Sequence, residues 1–178
     1  MMKLNLGCGI DVREGWVNLD ISERKGVEVA HDLNKLPLPF ENEKFDIVLC
    51  KDVLEHVNYH PLINDIHRIL KLGGSLIIRV PHFTSKSNYG DPTHIKQFAV
   101  NTFYYFTEEK KYGYKRDVKV FSKIKIRIRF EQFEILLFRV INKTLEKWVN
   151  KTPRRQNFYD RSFLRIFPAL SIEVILKK

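Results

Sequence analysis

The 178-residue sequence has only two cysteines, Cys8 and Cys50, and lacks an uninterrupted apolar run long enough to span a bilayer. Both cysteines lie in apolar, strand-like contexts, so we expect reduced thiols in a cytoplasmic protein rather than a disulfide framework. No charged-then-apolar leader precedes the first strand, which argues against a secretory signal. There is also no internal repeat and no low-complexity linker, so we expect one domain over residues 1–178.

Acidic residues are scarce in the second half of the chain. The formal net charge is +10, and residues 1–100 hold 12 Lys and Arg against 13 Asp and Glu, whereas residues 101–178 hold 19 against 8. A basic half of this kind can face a phosphate-bearing acceptor, nucleic acid or an anionic membrane, or it can be an ordinary solvated surface. The charge alone leaves these alternatives open.

A glycine turn and a following carboxylate stand near the start of the chain. Residues 4–9 read LNLGCG, and residues 16–20 read WVNLD, which ends on Asp20. Glycines tolerate positive φ and let a backbone approach a ligand closely, and a carboxylate can accept two hydrogen bonds from a ribose diol. The layout indicates a nucleotide site, although an ordinary strand–turn–strand would show the same local pattern.

Strands and crossovers alternate over the first 81 residues. Residues 45–50 form a nearly continuous apolar run, which is typical of a central parallel strand covered on both faces. Residues 61–70 carry a helical apolar stripe that should end at Gly73-Gly74, and residues 75–80 form the next central strand. This alternation predicts a parallel α/β sheet.

The sequence pattern changes in residues 82–178. In the stretch that ends at Phe130, apolar and basic residues alternate, which predicts a half-buried strand that presents four cations on its open face. From the sequence we expect this half to contain a loop at 82–93, a short aromatic helix at 97–106, the strand at 118–130, a helix at 133–149 and a final strand at 172–176.

Five short motifs, taken in order, resemble those of class I S-adenosylmethionine-dependent methyltransferases of the type 11 group. The motifs are residues 4–9, 18–21, 31–33, 45–57 and 70–78. The resemblance implies a Rossmann-like, mostly parallel seven-stranded sheet flanked by helices, with strand order 3-2-1-4-5-7-6. It also implies S-adenosylmethionine as the cofactor and methyl transfer as the activity. On this basis, residues 1–81 would be the cofactor-binding half, and residues 82–178 would bind the acceptor and complete the sheet.

The resemblance assigns the first cofactor contacts to the carboxyl ends of the first two strands, where open α/β sheets bind ligands. Gly7, Cys8 and Gly9 would pass under the methionine part of the cofactor. Asp20 would hold the ribose hydroxyls, and Ile21 would lie against the adenine.

The remaining cofactor contacts fall after the third and fourth strands. By the same resemblance, Asp32 would accept a hydrogen bond from the adenine amino group, and the Leu33 backbone would meet the edge of the ring. Cys50 and Lys51 would line the pocket through their backbone atoms.

Two positions depart from the family pattern. Asn5 stands where the family usually has an acid, and Asp11 stands where a third glycine is common. Asp11 could supply the missing negative charge. A dinucleotide site, the alternative for a glycine turn, would need a glycine at Val12 and a full crossover helix, and both are lacking.

The acceptor site should lie near the ends of the fourth and fifth strands. His82 directly follows the fifth strand, and Asp91 and His94 are close enough in one loop for a carboxylate to orient an imidazole. We take these three as the candidate catalytic residues, although a solvated histidine and a helix-entry turn would also explain them. His56 is expected to pack or cap a helix. No metal is expected, because these residues include no close His/Cys pair.

The identity of the acceptor and of other partners stays open. Residues 91–94 and the aromatic segment after them resemble a subset of the family found with glycan enzymes, which favours a small-molecule or glycan-type acceptor. The alternatives are RNA methylation through the basic second half and a non-catalytic binding module with this fold. Residues 133–165 are apolar, basic and Trp-bearing, which also suits peripheral contact with an anionic membrane. The oligomeric state is not indicated.

Overall fold

The seven strands of the protein form one mixed sheet. The computed structural model describes residues 1–107 and 121–178. The strands are β1 Lys3–Leu6, β2 Val17–Asp20, β3 Val29–Ala30, β4 Phe45–Lys51, β5 Leu70–Pro81, β6 Lys123–Phe130 and β7 Ala169–Lys177.

Helices occupy the crossovers and the chain between β5 and β7. The α-helices are α1 Tyr59–Ile69, α2 Ser87–Gly90, α3 Val100–Tyr104, α4 Leu136–Val149 and α5 Pro153–Arg161, with 3-10 turns at Leu54–His56 and Phe163–Ile166. None of the helices in the described parts of the chain is long and apolar enough to cross a membrane.

The strand order is β3-β2-β1-β4-β5-β7-β6, which confirms the predicted topology. The pairs from β3 to β5 are parallel, and β7 lies antiparallel between β5 and β6. Because β1 to β5 run in one direction, their carboxyl ends meet along one edge of the sheet. This edge carries the predicted site residues.

The core lies on both faces of the central strands. The stripe of α1 is completely buried at Leu62, Ile63, Ile66 and Ile69, as its helical spacing predicts. The hydrogen-bonding edge of β6 is covered by α4 and the residue after it: Asn150 Oδ1 accepts from the Ile128 N–H at 2.8 Å. Such coverage prevents an edge strand from pairing with another chain.

The crossover from β1 to β2 is a loop, one of the two outcomes that its length allows. Asn18 organises this loop, since its Oδ1 accepts from the Arg13 N–H at 2.9 Å and its Nδ2 donates to the Arg13 carbonyl at 3.0 Å. The loop leaves the turn after β1 without the helix that normally covers it.

Several element boundaries differ from the sequence prediction. The helix α1 ends at Ile69 rather than at the glycine pair, and Gly73 adopts φ +75° inside an irregular part of β5. The chain directly after β4 forms only a 3-10 turn and not an α-helix. The helix α5 was not predicted, because its nine residues carry a polar sequence without an apolar stripe. The strand predicted at 118–130 is observed as β6, which begins at Lys123; residues 118–120 lie outside the described residues.

Candidate functional site

The turn after β1 is built from two glycines in the left-handed region. Gly7 has φ +64° and Gly9 has φ +51°. A Cβ on Gly7 would lie 2.6 Å from Cγ2 of Val53, whereas a Cβ on Gly9 would meet nothing within 4 Å. Gly7 is therefore required by packing, and Gly9 leaves open space where a ligand can approach the backbone.

Asp20 joins the end of β2 to this turn. Its Oδ2 accepts from the Gly9 N–H at 2.8 Å, and its Oδ1 accepts from the Ser22 N–H at 3.0 Å. The residue is 9 % exposed. Each carboxylate oxygen keeps acceptor capacity beyond these bonds, so Asp20 fits the predicted contact with two ribose hydroxyls.

The side chains next to Asp20 and β3 suit an adenine ring. Ile21 is 69 % exposed, so its side chain is accessible to a ligand. Leu33 is buried, and Asp32 Oδ1 accepts from the Asn34 N–H at 2.9 Å in a local turn. The structure thus places these three predicted cofactor residues at the carboxyl ends of β2 and β3.

The two departures from the family pattern have structural partners. Asn5 donates from Nδ2 to the Asp11 carbonyl at 2.7 Å and to Asn18 Oδ1 at 3.1 Å, so its amide holds the compact crossover together. The Asp11 carboxylate lies 2.8 Å from Lys51 Nζ and 3.0 Å from an Arg13 nitrogen. These two cations, Lys51 first, lower the pKa of Asp11. Asp11 is therefore ionised but already paired, and it adds no free negative charge to the turn.

Cys8 and Cys50 are both buried free thiols. Burial raises the pKa of each thiol, and Cys50 has no exposed surface at all. Because the whole residue Cys50 is buried, its predicted backbone contact with the cofactor stays a prediction. Neither residue is in the ionised form that makes a cysteine nucleophilic.

Apart from the predicted cofactor residues, a cavity of about 330 Å³ opens beyond the ends of β4 and β5. We call it the acceptor cavity. Its walls carry an unusual density of ionisable groups, and its lining residues are Asp52, Glu55, His56, Arg79, Pro81, Ser87, Asp91, His94, Leu170 and Ser171.

Glu55 is the most unusual residue of the acceptor cavity. It has no exposed surface, and neither of its carboxylate oxygens has a hydrogen-bond partner among the described residues. Burial raises the pKa of this carboxyl to about 7; the backbone N–H of Glu55 itself opposes the rise, and the charge of Asp52 adds to it. Its backbone carbonyl accepts from the Ile95 N–H at 2.9 Å and thereby ties the 3-10 turn to the loop that carries His94.

A chain of hydrogen bonds runs from Asp91 to His56. The Thr93 hydroxyl donates to Asp91 Oδ1 at 2.6 Å and lies 2.9 Å from His56 Nδ1. Because the single hydroxyl proton goes to Asp91, the hydroxyl oxygen must accept from an Nδ1–H of His56. This fixes the tautomer of a neutral His56 and leaves its Nε2 with a free lone pair.

His94 lies beside His56 in the same cavity. The ring centroids are 4.7 Å apart in an edge-to-face arrangement, and the His94 side chain is 7 % exposed. Nε2 of His94 lies 3.7 Å from Asp91 Oδ2, which is beyond hydrogen-bond distance, and Nδ1 is a buried atom without a partner in the described parts of the chain. Asp91 and His94 thus lie side by side without the predicted hydrogen bond between them, and Asp91 is instead linked through Thr93 to His56.

The structure gives His82 a buried position, in contrast to the predicted acceptor contact. The residue has no exposed surface; Nε2 lies 2.9 Å from Asp160 Oδ1, and Nδ1 lies 2.8 Å from Thr84 Oγ1. The ring connects the end of β5 to α5. Both ring nitrogens are used within the protein, so the site that we propose below does not include His82.

Arg79 and Asp52 close one side of the acceptor cavity. Arg79 Nε donates to Asp52 Oδ1 at 3.0 Å, and a second nitrogen of Arg79 contacts the other oxygen. Asp52 first among the neighbouring acids raises the pKa of Arg79, so the guanidinium stays charged. Asp52 adopts φ +55° at the end of β4, and the ion pair holds this strained residue in place.

The predicted cation face of β6 is present, but half of it is paired. Lys123 and Lys125 are exposed, whereas Arg127 and Arg129 lie 3.3 Å and 3.2 Å from Glu146 Oε1. Arg129 also contacts Glu173 at 2.9 Å. The sequence also has tyrosines at positions 112 and 114 that could stack on a sugar or base, but they lie outside the described residues.

The first turns of α4 expose apolar side chains. Leu136 and Leu137 are 68 % and 65 % exposed, while the end of the helix packs through Val149. Among the described residues, none covers these two side chains. Peripheral membrane contact by this segment stays a prediction.

Sequence reasoning missed Glu55 and assigned His56 a packing role. Both follow β4 within the fourth motif, at the edge where ligands bind open α/β sheets, and that position was the available signal. Thr93 could not be recognised, because its role depends on His56, which lies 37 residues earlier in the chain.

Comparisons with known proteins agree with the fold. The methyltransferase domain family matches residues 4–78. Two uncharacterized proteins of Methanocaldococcus jannaschii are 42 % and 34 % identical over 79 and 77 residues, which are 39 % and 43 % of this chain. The match covers 35 % and 36 % of those proteins, so the chain spans only about a third of the curated relatives' length.

Solved structures match over nearly the whole chain. A SAM-dependent methyltransferase from Archaeoglobus fulgidus is 22 % identical with TM-score 0.62, and the match covers 99 % of this chain and 86 % of that one. Phosphoethanolamine N-methyltransferase 2 from Haemonchus contortus, solved with phosphomonomethylethanolamine and S-adenosylhomocysteine, is 18 % identical with TM-score 0.59, covering 99 % and 48 %. A putative methyltransferase of Haloferax volcanii, in complex with the Trm112 activator, is 14 % identical with TM-score 0.56, covering 99 % and 81 %.

These findings confirm the predicted fold, which is that of the class I S-adenosylmethionine-dependent methyltransferases, and residues 4–78 match the methyltransferase domain family.

Proposed function

We propose that this protein binds S-adenosylmethionine at the carboxyl ends of β1 to β4 and transfers its methyl group to an acceptor in the acceptor cavity. The observation that carries this proposal is the position of two sites on one sheet edge. The glycine turn with Asp20 lies at the ends of β1 and β2, and the polar acceptor cavity lies beyond β4 and β5. Two-substrate transfer requires such neighbouring sites, because the reacting atoms must meet directly.

The residues of the cofactor site fit S-adenosylmethionine. We assign the ribose to Asp20, whose carboxylate is already oriented by two N–H groups, and the adenine to the exposed Ile21 together with Asp32 and Leu33. The open backbone at Gly9 leaves room for the methionine part. Gly7, Cys8, Cys50 and Lys51 complete the lining in our proposal.

When bound, S-adenosylmethionine supplies a methyl group that the sulfonium has already activated. The work of the protein is to hold the acceptor in line with this group and to exclude water. A bond forms between the acceptor atom and the methyl carbon while the carbon–sulfur bond breaks, and the acceptor loses a proton when it is a hydroxyl or an amine. We assign Asp91 and His94 to contact the acceptor from the loop after β5.

The size and polarity of the acceptor cavity favour a small polar acceptor, such as a sugar or another hydroxyl or amine compound. Its volume of about 330 Å³ falls at the lower end of the range typical of small-molecule sites. The Haemonchus contortus enzyme was solved with the small molecule phosphomonomethylethanolamine and S-adenosylhomocysteine, which supports this class of acceptor for the fold. RNA is the second candidate, but the pairing of Arg127 and Arg129 with Glu146 reduces the charge available for phosphates.

Transfer of a labelled methyl group tests this proposal. The protein is incubated with methyl-tritiated S-adenosylmethionine and, separately, with amino sugars, neutral sugars, small amines and phenols, and structured RNA. We expect labelled product with a member of the small-molecule set, and loss of product with Asp20→Ala but not with the control variant Glu14→Ala, which removes an exposed carboxylate from the loop that precedes β2. Label found only in RNA would contradict the small-acceptor proposal.

A further inference from the structure

We propose that Glu55, His56 and His94 form a binding site for one divalent transition-metal ion, best fitted by Zn²⁺, in the wall of the acceptor cavity. Potential ligand atoms of the three residues all lie within 4.8 Å of one another. Two histidines and one glutamate form a known ligand set for zinc sites that keep a fourth position open. The ligand atoms of a tetrahedral zinc ion lie about 3.4 Å apart, so small side-chain rotations would complete the site.

Unsatisfied polar atoms provide the second observation. Both carboxylate oxygens of Glu55 and Nδ1 of His94 are buried without hydrogen-bond partners among the residues that the structure describes. An orphaned buried polar atom costs about 1–3 kcal/mol, and native proteins rarely leave several at one place unless a ligand or a function uses them. A cation held by Glu55 and His94 would satisfy the carboxylate and use a lone pair of the imidazole.

The third residue of the cluster is already oriented as a metal ligand. Thr93 accepts the Nδ1–H of His56 and donates to Asp91, which leaves the Nε2 lone pair of His56 available. Ligating histidines characteristically donate their other ring N–H to an oxygen that fixes their orientation. Thr93 is therefore a positioning residue in this proposal, and Asp91 supports it.

The position of the cluster indicates a role, which rests on the function proposed above. The acceptor cavity adjoins all three ligands, so the open position of the metal is available to an acceptor oxygen. A coordinated hydroxyl gives up its proton more readily to solvent, and its oxygen then forms the bond to the methyl carbon as the carbon–sulfur bond breaks. Metal binding itself does not depend on this role.

The expectation of a metal-free protein came from residues that are neighbours in sequence. His56 and His94 are 38 positions apart, and the two elements that carry them meet because the Glu55 carbonyl bonds to the loop after α2. Among the described residues, this is the group in which three potential ligands converge.

Metal titration of the full chain, after chelator treatment and dialysis, tests the proposal. We expect Zn²⁺ to bind one-to-one by calorimetry, and Co²⁺ to give the intense visible bands of a four-coordinate site. His94→Ala and Glu55→Gln should each weaken Zn²⁺ binding at least about 100-fold, Thr93→Val about 10- to 100-fold, and the control His60→Ala not at all. Circular dichroism confirms that each variant is folded.

Two results would overturn the metal site: the absence of saturable one-to-one binding, or unchanged affinity in both His94→Ala and Glu55→Gln. Titration of the metal-free protein with S-adenosylhomocysteine is run in parallel. Because this ligand is assigned to residues outside the cluster, its binding reports on the proposed methyl transfer separately from the metal.

Discussion

Replacing Glu55 by methionine should make the metal-free protein more stable. The carboxyl group is completely buried, and neither oxygen has a hydrogen-bond partner within the described residues, so the folded state carries its full desolvation penalty. Methionine has a similar length, no charge and enough flexibility to fill the same space. Removing one orphaned buried group should therefore raise the free energy of unfolding by about 1–3 kcal/mol.

Thermal and urea unfolding measure this effect with chelator present. For a chain of this size each kcal/mol corresponds to about 2–4 °C in Tm, so Glu55→Met should melt about 2–12 °C higher than the wild type. The urea midpoint should rise with an unchanged m value, which would show that the change lies in stability rather than in compactness. The control Glu41→Met changes an exposed glutamate and should stay within about 0.5 kcal/mol. A loss of 1 kcal/mol or more in Glu55→Met would show that the carboxyl stabilises the fold, and would refute the reasoning that it is retained for function.

Three further substitutions test other parts of the account. Gly7→Ala introduces a Cβ 2.6 Å from the Val53 side chain at φ +64°, so it should cost about 1–3 kcal/mol by urea unfolding; an unchanged midpoint would contradict this. His82→Ala removes the buried partner of Asp160 and should lower stability by about 3 kcal/mol, and an unaltered Tm would show that this pair is dispensable. Ile21→Ser should leave Tm unchanged, because the side chain is exposed, but weaken S-adenosylhomocysteine about tenfold in calorimetry; equal affinity would remove Ile21 from the adenine site.

Much of the cofactor half could be predicted because its signals are local in sequence. The apolar runs, the glycine turn and the carboxylate at Asp20 each need only a few neighbouring residues, and parallel strands bring their carboxyl ends together without further information. The strand order followed from the resemblance and agrees with the structure. The division of the chain into a cofactor-binding half, residues 1–81, and an acceptor-binding half, residues 82–178, stays a prediction.

The acceptor half was harder to predict because its key contacts are distant in sequence. His82 depends on Asp160, which lies 78 residues later on a helix with no apolar stripe to announce it. Glu55 and His56 form part of a cavity only when the loop carrying His94 folds back over them. A histidine in sequence gives no indication of whether its ring will be sealed in the core or will line a pocket.

Calorimetric titration with S-adenosylhomocysteine, on the wild type and on Asp20→Ala, tests the central claim most directly. Asp20 should make two charge-assisted hydrogen bonds to the ribose, each worth about 1.5–3 kcal/mol, so its loss should weaken binding at least about 100-fold. The account predicts saturable one-to-one binding that collapses in the folded variant. Absence of binding in the folded wild type, or equal affinity in Asp20→Ala, would contradict it.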